Sequence, residues 1–208
     1  MPEGVPVVFS DDTLVIIEKP AGLLAVPGRG EHLRDCVATR LRACFADALV
    51  VHRLDQATSG LMLFARGAAA QRSLSRLFEA RLVVKRYVAL VAGPMDRDAG
   101  SIDLPLGADW PNRPRQQVDI RRGKASLTHW RVLSRDVAAR TTRVELEPVT
   151  GRSHQLRVHL LAIGHPIVGD ALYAPALAAP RLMLHACALA LPHPHDGRAL
   201  NFSSQAPF

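Results

Sequence analysis

The residues VHRLDQATSGLMLFAR (51–66) hold a lone acid, Asp55, two places after Arg53 and three before Thr58-Ser59-Gly60. Apolar runs flank it, ALVV (48–51) on one side and LMLFA (61–65) on the other. The second run has no polar alternation, which reads as a strand covered on both faces. A carboxylate set among an arginine, a histidine and two hydroxyls between buried strands either fixes a turn through its own backbone or carries chemistry. The rest of the chain decides which.

Working outward, TLVIIEKP (13–20) reads as a strand closed by Pro20 and the turn residues Ala21-Gly22, and VVH (50–52) as a short strand before the motif. KRYVALVAG (85–93) is a strand stopped by Gly93-Pro94, and ASLTHWRVL (125–133) and TRVELEPV (142–149) form a later pair. Val144 and Leu146 alternate with Glu145 and Glu147, the pattern of a half-buried strand. Three stretches have helical spacing. In AAAQRSLSRLFEARL (68–82), Leu74, Leu77, Phe78 and Leu82 make one apolar face; HLRDCVATRLRACF (32–45) carries a similar stripe. SHQLRVHLLAIG (153–164) sets Leu156, Leu160 and Ile163 on one face and ends at Gly164, a C-cap residue. Strands outnumber helices and connect without regular helical crossovers. The expectation is an α+β fold with a mixed, mainly antiparallel central sheet and flanking helices.

The chain has 208 residues, 48% of them hydrophobic, and a mean hydropathy of +0.07, values of a globular protein. No run approaches the roughly 18 apolar residues of a membrane span, and MPEGVPVVFSDD lacks the basic start and apolar core of a signal peptide. A cytoplasmic protein is expected, with no membrane partner. Three cysteines, Cys36, Cys44 and Cys187, have no CxxC spacing and read as small core residues. Lys plus Arg number 26 against 19 acids, a net charge of +7, which points to a polyanionic partner. Only Lys19, Lys85 and Lys124 are lysines; a GC-rich coding sequence also favours arginine, but does not account for the net excess. DWPNRPRQQVDIRRGK (109–124) concentrates the charge, with five basic residues, two prolines and acids only at Asp109 and Asp119. It reads as a loop contacting phosphates through residues such as Arg113 and Arg115, with Trp110 available for packing.

Ordinary catalytic patterns fail. His154 and His159 are five apart with no HExxH, His193 and His195 flank a proline, and neither GxxxxGK[ST] nor GxGxxG occurs. Ser59 sits in TSGL rather than GxSxG. No metal and no cofactor is expected.

HRLDQATSGL (52–61) resembles the central motif of the RluA family of pseudouridine synthases, HRLDxxTSGL. KRYVALVAG (85–93) resembles the segment carrying that family's tyrosine, and GRSHQLRVHLLAIGHPIVGDALY (151–173) its long third motif. LMLHA (182–186) fits the closing strand, and DLPLGADWPNRPRQQV is similar to the RluA subfamily, whose members modify tRNA and 23S rRNA. The resemblance runs from about residue 10 to the end. It implies the pseudouridine synthase catalytic fold as a single domain over 1–208, with no N-terminal S4 RNA-binding domain. The expected partner is RNA, tRNA or 23S rRNA or both, and a monomer is the default.

Pseudouridine formation breaks the bond from ribose C1′ to uracil N1, turns the base and rejoins it through C5. The resemblance makes Asp55 the covalent catalyst. Three routes fit such an acid: attack at C1′, addition to C6, or removal of the 2′ proton. A retaining glycosidase would need a second carboxylate about 5 Å away; the three motifs are read as contributing one acid. The resemblance pairs Asp55 with Arg157, whose fork keeps a carboxylate ionised and oriented in a dry pocket. It gives Tyr87 the stacking of the extruded uridine, with assistance in a late proton transfer from C5, and Arg53 the space the uridine vacates. Arg53 and Asp55 project to the same side of an extended segment. Leu156 borders the base, and His52, Thr58 and Ser59 fix the loop. Two rivals remain: a glycosidase acting on nucleosides or RNA bases, which would release free uracil, and a non-catalytic RNA-binding module, for which Asp55→Asn would be silent.

Overall fold

The computed structural model describes residues 3–177 and 179–208. They divide into two compact units, one running up to Lys85 and taking in Ala186–Pro207, the other formed by the described residues between Arg86 and His185 with Phe208.

In the first unit, β1 (Val7–Ser10), β2 (Leu14–Lys19), β3 (Ala48–Val50) and β4 (Ser59–Arg66) form the antiparallel pairs β1–β2, β2–β4 and β3–β4. Seven of the eight β4 residues are buried, as its unbroken apolar run predicts for a strand covered on both faces. Leu61, Leu63 and Ala65 project to one face with Leu14 and Ile16, and Leu74 of α2 (Gly67–Glu79) closes over them. Full burial of each such aliphatic side chain contributes about 1.5–3 kcal/mol.

The α2 bounds match the expected helix except at its end. Ala80 caps it and Arg81 has φ 58°, so Leu82 leaves the apolar face and is 53% exposed. The helix expected over 32–45 is a correction. Only α1 (Val37–Arg42) forms, because Cys36 is extended, bridges Leu24 and caps the helix by accepting the Thr39 N–H.

In the second unit β5 (Val84–Ala92, its first two residues in the first unit), β6 (Ala99–Asp103), β9 (Leu127–Asp136) and β10 (Thr141–Pro148) pair antiparallel in the order β5–β10–β9–β6. Thr142, Val144, Leu146 and Pro148 of β10 are buried in strict alternation, as the sequence pattern requires. The 109–124 segment is more regular than a loop: β7 (Leu106–Ala108) and β8 (Gln116–Val118) make an antiparallel hairpin with residues 109–115 at its tip. Its apolar side, Leu106 and Val118, packs with Val158, Leu161 and Tyr173. Those first two belong to α3 (Gln155–Ala162), which ends at Gly164 with φ 84°, the left-handed residue expected of a C-cap. Gln155 to Leu160 are all buried, so α3 is enclosed on every side rather than on one face. The chain closes with β11 (Leu184–Pro192) and β12 (Ala199–Ser203), antiparallel partners. The α+β expectation, with a mainly antiparallel sheet, describes the molecule.

Candidate active site

Asp55 lies in the first unit, on the turn entering β4. The Thr58 N–H donates to the Asp55 carbonyl at 3.1 Å, so the backbone of the acid closes the turn. Leu54 is 5% exposed between exposed Arg53 and half-buried Asp55, the alternation of an extended segment that sends Arg53 and Asp55 to one side. Thr58 and Ser59 are buried, and Gly60 has φ 111° with the Ala186 backbone against it. A Cβ at residue 60 would stand 2.3 Å from the Ala186 carbonyl oxygen, so only glycine fits the start of β4.

Two side chains hold this turn. His52 accepts the Leu63 N–H on Nε2 at 2.9 Å, and its ring stacks on Phe78 of α2 at 5.0 Å. Burial, with the nearby charge of Lys85 adding to it, pushes its pKa down to about 3, which keeps the ring neutral and Nε2 an acceptor. The loop-fixing role read for His52 is what the geometry shows. Lys19 was not foreseen. It is fully buried at the end of β2, and Nζ donates to the carbonyls of Pro20, Gln56 and Thr58 at 2.8, 2.9 and 2.8 Å. Two of these belong to the turn after Asp55, so a buried ammonium fixes the backbone on which the acid sits. A lysine closing an otherwise apolar strand, in LVIIEK, was the available signal.

The second unit carries Tyr87, Leu156, Arg157, Arg113 and Arg115. Tyr87 is half-buried in β5, opposite Leu146 of β10. Leu156 and Arg157 occupy the first turn of α3 and are 7% and 4% exposed. Arg157 is thus buried despite its charge. Its Nε donates to Asp170 Oδ2 and its Nη2 to Oδ1, both at 2.7 Å, and Asp170 is 1% exposed. Asp170 Oδ1 also accepts the N–H groups of Leu172 and Tyr173 at 3.0 and 3.1 Å. The expectation that the motifs contribute a single acid is therefore corrected. Asp170 stands inside the third motif, in GDALY, and its role is to grip the Nε/Nη2 edge of the guanidinium.

Tyr173 ties this pair to the hairpin. Its ring lies 5.0 Å from the Arg157 guanidinium carbon and 5.3 Å from that of Arg115, and its hydroxyl accepts the Gln116 N–H at 2.7 Å. That hydroxyl also pairs with His154 Nδ1 at 2.7 Å. His159, doubtful as a metal ligand from its spacing, bonds the Leu104 carbonyl through Nε2 and the Thr128 hydroxyl through Nδ1, and burial lowers its pKa. His193 sits on Asp11, Nε2 to Oδ2 3.1 Å.

The comparisons give the family. Residues 13–162 match the model of the RNA pseudouridylate synthases, and the chain belongs to that family. It is 49% identical over 205 residues to the dual-specificity RNA pseudouridine synthase RluA of Yersinia pestis, covering 97% of this chain and 99% of the relative. The same enzyme from Escherichia coli (strain K12) is 48% identical, covering 97% and 93%. Among solved structures, the human RNA pseudouridylate synthase domain containing 1 superposes with a TM-score of 0.83 at 30% identity, covering all of this chain and 86% of that one. The human domain containing 4 superposes with a TM-score of 0.77 at 28% identity, covering 97% and 88%. The chain is an RNA pseudouridine synthase, an isomerase of uridine in RNA. Among the described residues no helix is long and apolar enough to cross a membrane.

Proposed function

We propose that the chain isomerises uridines of both the tRNA anticodon loop and 23S rRNA, as a cytoplasmic monomer without metal or cofactor. The observation carrying this reading is the extent of likeness: 48–49% identity to dual-specificity relatives over 97% of the chain.

Asp55 is the carboxylate catalyst of C1′–N1 cleavage. Arg157 is the cation that the family likeness assigns to keeping that carboxylate ionised, and its Nε/Nη2 edge is held by Asp170. Tyr87 stacks on the extruded uracil and helps remove the C5 proton when C5 has joined C1′; N1 gains a proton, so the product has the mass of the substrate. Arg53 fills the vacated stack, Leu156 borders the base, and Arg113 and Arg115 take phosphates. In support, Asp55 sits on a turn fixed by Lys19 and Gly60, and Arg157 is buried and gripped from one edge. Such preorganisation lets charged groups act without reorganising during reaction.

The test incubates unmodified tRNA and a 23S rRNA fragment separately with the enzyme and maps carbodiimide-dependent reverse-transcription stops. Stops in both RNAs are expected, in buffer with or without a chelator. A stop in one class alone overturns dual specificity; loss of both with chelator overturns the metal-free reading.

A further inference from the structure

We propose that Trp110 is a stacking platform for a second unpaired nucleobase of the substrate RNA, one that is bound but not isomerised. The inference rests on the reading above that the hairpin meets RNA.

The chain has two tryptophans, and they stand in opposite surroundings. Trp130 is 8% exposed in β9, opposite Gly100. Trp110 is 68% exposed at the hairpin tip. An indole left in water forgoes the large apolar burial that makes tryptophan an anchor elsewhere. One face is already used: the Arg113 guanidinium carbon lies 3.5 Å from the Trp110 ring centroid. With that contact in place the residue is still 68% exposed, which leaves ring surface for a second partner.

The tip that carries the ring is tied to itself. The Asp109 N–H donates to the Arg115 carbonyl at 3.0 Å, the Asn112 N–H to the Asp109 carbonyl at 3.1 Å, and the Arg115 N–H to the Asn112 carbonyl at 3.0 Å. Asn112 Nδ2 reaches both carboxylate oxygens of Asp109, at 3.1 and 3.0 Å. At the end of the tip, the Tyr173 hydroxyl accepts the Gln116 N–H at 2.7 Å. The ring is held out by a bonded scaffold, so little conformational freedom is lost when a ligand covers it.

Charge selects the occupant. Five cations lie within 109–124, and its two acids are engaged, Asp109 with Asn112 and Asp119 with the N–H groups of Arg121 and Arg122. Within 109–124 the other exposed large apolar residue is Ile120, beyond β8 from the tip. A protein partner needs a contiguous apolar patch. A nucleobase needs one aromatic face with cations for its phosphates, and an indole backed by a guanidinium supplies both.

The test uses Asp55→Asn protein, expected to bind without turnover, titrated with an anticodon stem-loop while tryptophan fluorescence is read. The expected result is quenching that persists with Trp130→Phe and disappears with Trp110→Phe. Trp110→Ala should weaken binding by about 5- to 150-fold, the span for loss of one base–aromatic stack. Trp110→Phe should restore most of it and Trp110→Leu should not. Quenching that survives Trp110→Phe, or equal affinities for the Ala, Leu and Phe proteins, overturns the platform. A dimer that forms without RNA and is abolished by Trp110→Ala gives the ring to a second copy and also overturns it. Pseudouridine formation by the parent beside an unquenched Trp110 removes this inference alone, whereas a parent that neither binds nor modifies RNA removes the RNA reading as well.

Discussion

Arg157 and Asp170 form a buried bidentate ion pair, with Nε–Oδ2 and Nη2–Oδ1 both at 2.7 Å and neither residue more than 4% exposed. The buried guanidinium is thus balanced by a carboxylate buried with it. Removing one partner of such a pair leaves an uncompensated buried charge, at about 3–5 kcal/mol. Asp170→Asn should lower stability to urea by that order and cut kcat at least tenfold, with stem-loop affinity changed far less. Unaltered kcat in the folded variant would show that the orientation of Arg157 does not matter.

Lys19 makes a second prediction, because a single buried Nζ donates to the carbonyls of Pro20, Gln56 and Thr58. Lys19→Met keeps most of the side-chain volume and removes the donors. Each lost hydrogen bond to a charged group is worth about 1.5–3 kcal/mol. Chemical denaturation should show a loss of several kcal/mol. Turnover per folded molecule should fall by two orders of magnitude, while binding to RNA persists. A variant equally active per folded molecule would make Lys19 a core residue and nothing more.

His52 sets an acid limit on the fold. Its pKa is pushed down from about 6.5 to about 3 in the folded chain, and the acceptor on Nε2 requires the neutral ring. Below about pH 6.5 the unfolded chain takes up the proton and the folded one does not, so the contribution is complete above 6.5 and is lost progressively towards 3. Urea midpoints at pH 7, 5.5 and 4.5 should drop more steeply for the parent than for His52→Asn. Parallel lines for the two proteins would place the acid sensitivity elsewhere.

Arg113 and Arg115 together should account for about 1.4–1.8 units of the slope of log K against log salt, since each phosphate contact contributes about 0.9 on duplex DNA and about 0.7 on single strands. Filter binding of Asp55→Asn protein across a salt series, with and without Arg113→Ala and Arg115→Ala, measures this. Equal slopes would remove both residues from the interface.

The strands and the longest helix were legible because burial writes itself as periodicity. The unbroken run in β4, the alternation in β10 and the apolar face of α2 all follow from which side of an element meets the core. The β7–β8 hairpin was read as a loop because its second strand is polar and its prolines and arginines mask the two residues, Leu106 and Val118, that pack it down. The helix at 32–45 shrank because Cys36 is held extended by its bridge to Leu24. Asp55, Tyr87 and Arg157 came from motif resemblance, not from pattern. Lys19 and Asp170 were passed over for one reason: a buried charge whose partners are backbone groups or a distant side chain leaves no periodic trace.

The central claim is that one carboxylate, that of Asp55, turns uridine into its C5-linked isomer within intact RNA. Nucleoside mass spectrometry of tRNA treated with parent and with Asp55→Asn protein, together with a free-base assay, tests it directly. The account predicts pseudouridine with no released uracil from the parent, and none from Asp55→Asn protein that still binds the RNA. Pseudouridine formation by the Asp55→Asn protein at the parental rate, or uracil released in step with uridine loss, would contradict it.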